Sequence, residues 1–213
     1  MLILLAFQVL LNFFDMAYFL CMTFRFNTRK ATEAASLFIK REGGRLNVMK
    51  LVKLIYLLDR LSIAKRGIPV VGGVYYSMRN GPVTGELLDI VNAGKLANDA
   101  DSSWEEFISD RDRHDVALLG DVPPIKSISE SEIQLIDEIY AAHGAKDQWA
   151  IRDWCHKNCG EWTPLENGRE NIQVEEIASN VGKSSSEVQR ISDEARESNL
   201  LTAAFVASAA VYA

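Results

Sequence analysis

The hydrophobic pattern of residues 27–198 is typical of a mainly helical protein. From Thr28 to Lys40, apolar side chains recur every three or four residues, which is the spacing of an amphipathic helix, and a glycine pair follows. Asn47 is suited to cap a second helix that runs to about Arg66. Nine of the eleven residues from Val48 to Leu58 are apolar. A helix that is apolar on nearly all sides is buried, so we expect this one at the centre of the domain.

A short β element is expected after the second helix. Val74 to Met78 is β-prone, and Asn80-Gly81 is a hairpin signal, so the segment predicts a two-stranded ribbon. Thr84 is suited to cap the helix that follows. By contrast, Asn98 to Pro124 is polar and acidic, and it predicts a long irregular excursion at the surface.

Four further helices are predicted in the C-terminal half, two of them introduced by the capping boxes Ser129/Glu132 and Ser184/Glu187. They cover Ser129 to His143, Gln148 to Lys157, Val174 to Asn180 and Ser185 to Ser198. The whole pattern predicts a mainly α fold: a compact multi-helix domain with a buried central helix and a small two-stranded β-hairpin.

Both ends of the chain are apolar and lie outside the predicted domain of residues 25–198. The first segment, residues 1–24, is long enough to span a bilayer, although Asp15 would cost about 2.5–3.5 kcal/mol there. Arg25 and the basic residues after it would keep the domain on the inner side of an inner-membrane anchor. The alternatives are a true start at Met22 or a packed helix. The tail, residues 199–213, is too short to span.

Charge and cysteine content narrow the possible functions. The net charge of −6 argues against a general nucleic-acid binder. Residues 25–66 carry eleven Lys and Arg against three acids, whereas residues 99–115 are strongly acidic. Such segregation fits either docking to a charged partner protein or two solvated faces. The three cysteines do not form a secreted disulfide pattern, so we expect a cytoplasmic protein.

Charged residues on the central helix are the first candidates for a site. Lys50, Lys53 and Arg60 line up on one stripe, and Asp59 lies on the opposite, apolar side with Tyr56. A carboxylate on an apolar face must be hydrogen-bonded, so we expect Asp59 to bind the loop that follows.

No catalytic motif or cofactor site is found. The sequence has no phosphate-binding glycine loop, no nucleophile elbow and no zinc-protease motif. Cys155-His156-x-x-Cys159 resembles a metal site, but a structural zinc needs four ligands and the only other thiol is Cys21. We therefore expect neither an enzyme, nor a metal site, nor a cofactor.

DNA binding is an alternative. Ala178, Gly182 and Val188 have the spacing of a helix-turn-helix motif. The residues of its second helix that could reach base edges are Ser185, Ser186, Gln189 and Arg190. Acidic neighbours such as Glu187 and Asp193 would face the phosphates unfavourably.

Three separated blocks resemble the Panacea (SocA-like antitoxin) family, whose members occur in phages and bacterial genomes. They are Met49 to Arg60, Gly67-Ile68-Pro69, and Tyr75 to Val83 with its Gly-Pro-Val turn. The Ser129/Glu132 helix and the pair His156 and Trp162 resemble the C-terminal half of the family. The resemblance covers roughly residues 27–191. The chain departs from the family at both ends and at Arg79-Asn80.

The resemblance implies a mostly helical antitoxin that binds and inactivates a toxin encoded beside it, in at least one relative as an adaptor that delivers the toxin to a protease. DNA remains a partner only in the alternative above, and a membrane only if residues 1–21 are genuine. We expect the following residues to build or support the binding surface: Lys50, Lys53, Tyr56, Asp59, Arg60, Tyr76, Met78, Arg79, Gly81, Pro82, Val83, His156 and Trp162.

Overall fold

The computed structural model describes residues 23–94 and 101–211, with side chains described as far as residue 200. Predictions for residues 1–22 lie outside the described residues. The helices are α1 (Thr28–Arg41), α2 (Val48–Arg66), α3 (Gly85–Ala93), α4 (Ser103–Phe107), α5 (Glu130–His143), α6 (Gln148–Asn158), α7 (Val174–Asn180) and α8 (Ser185–Val211). The strands are β1 (Arg45–Asn47), β2 (Tyr75–Met78), β3 (Val83–Thr84), β4 (Asp115–Ala117) and β5 (Arg169–Ile172). The predicted mainly α fold is confirmed.

Helix α2 lies at the centre of the domain, as predicted. Asn47 caps its N-terminus by accepting a hydrogen bond from the backbone N–H of Met49, and Gly67 ends it in the left-handed conformation. Every residue from Lys50 to Asp59 is buried. The helix contacts α1, α5, α6 and α7, so the rest of the domain is assembled around it.

The predicted hairpin is present as β2 and β3, which pair antiparallel. An additional strand, β5, pairs with the other edge of β2 and makes a three-stranded sheet in the order β3-β2-β5. The sequence of β5 is polar and mostly exposed, so it carries no alternation of apolar residues that could have predicted it.

The prediction of an irregular excursion over residues 98–124 was wrong in part. Helix α4 lies in this region with Trp104 buried, and β4 pairs with β1 in a two-stranded sheet. Arg45 on β1 forms ion pairs with Asp112 and Asp115, so part of the acidic segment folds back onto the basic one. The buried Trp104 and the long-range pairing of β4 with β1, rather than local propensity, give the segment its structure.

Both predicted capping boxes are confirmed, at Ser129/Glu132 and at Ser184/Glu187. The last helix does not end near Ser198 as predicted, because α8 continues to Val211. Among the described residues, no helix combines the length and the apolar character that a bilayer span requires.

Candidate functional site

Asp59 fixes the loop that leads into the hairpin, as predicted. Its carboxylate is fully buried and accepts hydrogen bonds from the backbone N–H groups of Val70, Val71 and Gly72, at 2.7–3.0 Å. The hydroxyl of Tyr75, on β2, donates a fourth at 3.0 Å. Burial raises the pKa of Asp59 to about 6 despite these bonds. The start of β2 is therefore tied directly to the central helix.

Glu161 forms a second buried junction, which the sequence pattern does not predict. Its carboxylate accepts the hydroxyl of Tyr56 at 2.7 Å and the Nε of Arg60 at 2.7 Å. Burial raises the pKa of Tyr56 well above its usual range, so that hydroxyl stays a donor. Tyr56 and Arg60 thus hold the segment after α6 against α2. A single acid in a short polar stretch carries no periodic signal, so only the tertiary structure reveals its role.

Trp162, the next residue, holds β2, the first strand of the hairpin and the middle strand of the three-stranded sheet. Its indole Nε1 donates to the carbonyl of Met78 at 2.9 Å, and its ring stacks on His156 with 3.9 Å between ring centroids. The following backbone N–H, of Thr163, donates to the Oγ of Ser77. Trp162 therefore holds β2, and His156 packs against the ring of Trp162.

Lys53 secures the tip of the hairpin. Its Nζ donates to the carbonyl of Pro82 at 2.6 Å, and burial lowers the pKa of this ammonium to about 8. Gly81 has φ +96°, and a Cβ there would lie 3.0 Å from Lys53 Nζ and 3.2 Å from His156 Cδ2. The turn therefore needs glycine both for its conformation and for this close approach.

The charged stripe of α2 is occupied by contacts within the chain. Lys50 is buried and donates to Glu42 at 2.6 Å and to the carbonyl of Gly144 at 2.7 Å. Lys53 and Arg60 are bound as described above. Tyr76, on β2, lies under the guanidinium of Arg169, whose central carbon is 4.4 Å from the ring centroid. Of the stripe, only Lys53 contacts the hairpin directly, and the exposed residues of the hairpin tip are Arg79 and Asn80.

The tip of the hairpin borders a cleft of about 520 Å³. Met78, Arg79, Gly81 and Val83 line one side of it, and Lys53 lies at its base. Val48, Met49 and Val52 of α2 and Trp149 of α6 form other parts of the wall. Arg79 is exposed, and Trp149 is 49% exposed despite its size. Five of the predicted surface residues are thus brought to one opening.

The remaining candidates lie elsewhere. Cys155 and Cys159 are buried free thiols, and the described residues contain no group of three or more metal-ligating side chains. Ser185, Ser186, Gln189 and Arg190 are exposed at the start of α8. They follow a turn at Gly182 with φ +87°, and α8 packs on α7.

The fold and this site define a class: a mainly α-helical domain in which a small hairpin is fixed to a buried central helix. The chain belongs to the SocA-like antitoxin family, since the family model described as "Antitoxin SocA-like, Panacea domain" matches residues 51–163, more than half of the chain. The match runs from α2 through the hairpin to the Glu161–Trp162 segment. It confirms the resemblance and supports an antitoxin role. No curated protein and no solved structure gave a significant match.

Proposed function

We propose that this chain is an antitoxin that neutralises a toxin encoded by the adjacent gene through direct protein–protein contact. The observation that carries the proposal is the hairpin, which is fixed at three points and leaves Met78 and Arg79 beside an open cleft. The chain's membership of the SocA-like antitoxin family supports the antitoxin role.

The three anchors favour recognition because they remove conformational freedom before binding. Asp59 fixes the entry of the hairpin, Trp162 fixes its first strand, β2, and Lys53 fixes its tip. A surface that is already ordered pays little entropy on association, so more of the contact energy appears as affinity. Toxin recognition by a preformed surface fits this construction.

Co-expression in bacteria tests the proposal. The product of the adjacent gene is induced alone and together with this chain, and growth is measured. We expect arrest without the chain and growth with it. Measuring the amount of toxin separates blockade from delivery to a protease, since delivery lowers the amount while blockade preserves it. A neighbouring product that is harmless alone, or equally toxic in both cultures, contradicts the proposal.

DNA binding is a second candidate, favoured by four exposed polar side chains at the start of α8 and by the turn before it. A mobility-shift experiment on the chain's own promoter tests it, at two salt concentrations. Binding that weakens steeply with salt, and that Arg190→Glu abolishes, supports a regulator. Binding that is absent at low salt rules this candidate out.

A further inference from the structure

The cleft beside the hairpin tip combines an apolar wall with positive charge. Met49 and Met78 are half-buried in its wall, as is Leu88 from α3, and Trp149 presents about half of its surface to solvent. The volume of about 520 Å³ is within the range of sites that enclose a ligand group. Met side chains adapt to the shape of an inserted group, and Trp is the residue type most enriched at binding hot spots.

The basic residues of the cleft lack carboxylate partners within the described chain. Arg79 is exposed and forms no ion pair there. Arg111 is held by the side chain of Asn92 and the carbonyl of Arg113, both neutral acceptors. Lys53, at the base, has the carbonyl of Pro82 as its one acceptor among the described residues.

This arrangement contrasts with the rest of the molecule. Eight of the eleven basic residues in residues 25–66 form ion pairs within the chain. Against the three cations of the cleft stands a single lining acid, Glu166, while the whole chain carries −6. The cleft is therefore a positive, apolar opening on an acidic protein, and it complements a group that is apolar and negative.

We propose that the cleft binds a segment of the toxin in which a large apolar side chain stands next to an aspartate or glutamate. This inference rests on the proposed function and names the part of the partner that is recognised. The apolar side chain packs against Trp149 and Met78, and the carboxylate pairs with Arg79 at the rim. A nucleic acid fits less well, because Met49, Met78 and Leu88 in the wall provide no hydrogen-bond donors for phosphate oxygens.

Binding of the purified product of the adjacent gene tests the proposal through two exposed residues. Trp149→Ala should raise the dissociation constant about 30-fold, which is the effect of losing a hot-spot tryptophan. Arg79→Glu should raise the dissociation constant about tenfold or more, and this increase should be smaller at high salt. The matched controls are Leu119→Ala, an apolar residue 60% exposed outside the cleft, and Lys157→Glu, an exposed cation. Both should stay within about twofold of the unchanged chain.

Photo-crosslinking identifies the occupant independently of those affinities. Trp149 is replaced by the photoreactive aromatic residue p-benzoylphenylalanine, and the crosslinked peptide is sequenced. We expect a toxin peptide that contains a large apolar residue beside an acid, and reversing the charge of that acid to lysine should restore binding by Arg79→Glu.

The outcomes separate the two claims. If the unchanged chain binds the toxin and both cleft variants bind equally well, the cleft is not the site and the antitoxin proposal stands. If the unchanged chain does not bind, both claims fail. A crosslink to a second copy of this chain, to nucleic acid or to a toxin segment without an acid overturns the inference, as does the absence of any crosslink.

Discussion

At the scale of single residues, Asp59 is the residue that ties the loop before the hairpin, and β2 itself, to the central helix. Each of its two carboxylate oxygens accepts two hydrogen bonds, and all four partners are donors, namely three backbone N–H groups and one hydroxyl. An asparagine has the same shape but only one acceptor oxygen. In Asp59→Asn, the side-chain NH2 group would therefore face buried N–H or O–H donors that now have an acceptor oxygen.

Asp59→Asn should lower the free energy of unfolding by about 2–4 kcal/mol at pH 7, because buried donors that lose their acceptor each cost about 1–3 kcal/mol. Urea unfolding measures this loss. Asp137→Asn, in an exposed pair with Arg41, is the control and should change stability by less than about 1 kcal/mol. Equal stability of Asp59→Asn and the unchanged chain would show that the loop does not depend on this acid.

The pH dependence of the same residue has a definite sign. The pKa of Asp59 is about 6 in the folded chain and 3.8 as its ordinary value, so between those values the folded chain binds more protons than the unfolded chain. The part of the stability that is linked to this proton is therefore complete below the lower value and is lost as the pH rises through about 6, whereas the hydrogen bonds that the carboxylate accepts persist at pH 7. Asp59→Asn should remove this part of the pH profile.

Sequence reasoning succeeded for Asp59 and failed for Glu161 for a physical reason. Asp59 lies within a long apolar helix, where a charge is conspicuous and must be satisfied by something close. Glu161 lies in a short polar stretch that looks solvated, and its burial arises only when α6 brings it against Tyr56 and Arg60. Lys50 and Lys53 were recognised as one stripe, but helical spacing cannot show that α5, α6 and the hairpin cover it.

At the scale of elements, the hairpin depends on a turn that only glycine fits. Gly81→Ala should lower the free energy of unfolding more than a positive φ alone explains, because its Cβ would press on Lys53 and His156. Gly43→Ala is the control, with φ +83° and no atom within 4 Å of the added Cβ. We expect about 1–2 kcal/mol for the control and at least about 1 kcal/mol more for Gly81→Ala, measured by urea unfolding. Equal losses would mean that the tip has room to adjust.

The helices were largely predictable and the small sheets were not. Local signals set α1, α2, α5, α6 and α7, since apolar spacing and capping residues act within a few positions. The pairing of β1 with β4 joins residues about seventy positions apart, and β5 pairs with β2 through a polar sequence. Such pairings depend on how the packed helices position the strands, so no local sequence pattern predicts them.

At the scale of the whole molecule, the charge asymmetry of the sequence is used mainly for internal pairing. Glu132 is the most connected example, since its carboxylate on α5 accepts Lys30 of α1 at 2.8 Å and Arg66 of α2 at 3.0 Å. Burial alone would raise the pKa of Glu132, but the hydrogen bonds from Lys30, Ser129 and Arg66 lower it to about 2. The pair network joins three helices.

Glu132→Gln should lower the free energy of unfolding at pH 7 by about 3 kcal/mol, because it leaves two partly buried cations without their acid. The pKa of Glu132 is depressed on folding, so its stabilisation is present above its ordinary 4.5 and is lost as the pH falls towards about 2. The variant should lack that acid-sensitive part. Glu138→Gln, on the same helix in a half-exposed pair with Lys65, should cost about 0–1 kcal/mol. Equal losses for the two variants would contradict a special role for Glu132.

The central claim is that this antitoxin-family domain acts by binding its toxin directly. Titration calorimetry of the two purified proteins, with nucleic acid removed, is the most direct measurement. We predict saturable binding between this chain and the product of the adjacent gene, lost when the hairpin is distorted by Gly81→Ala but retained in Gly43→Ala. Neutralisation of the toxin in cells without any binding between the purified proteins would contradict the account.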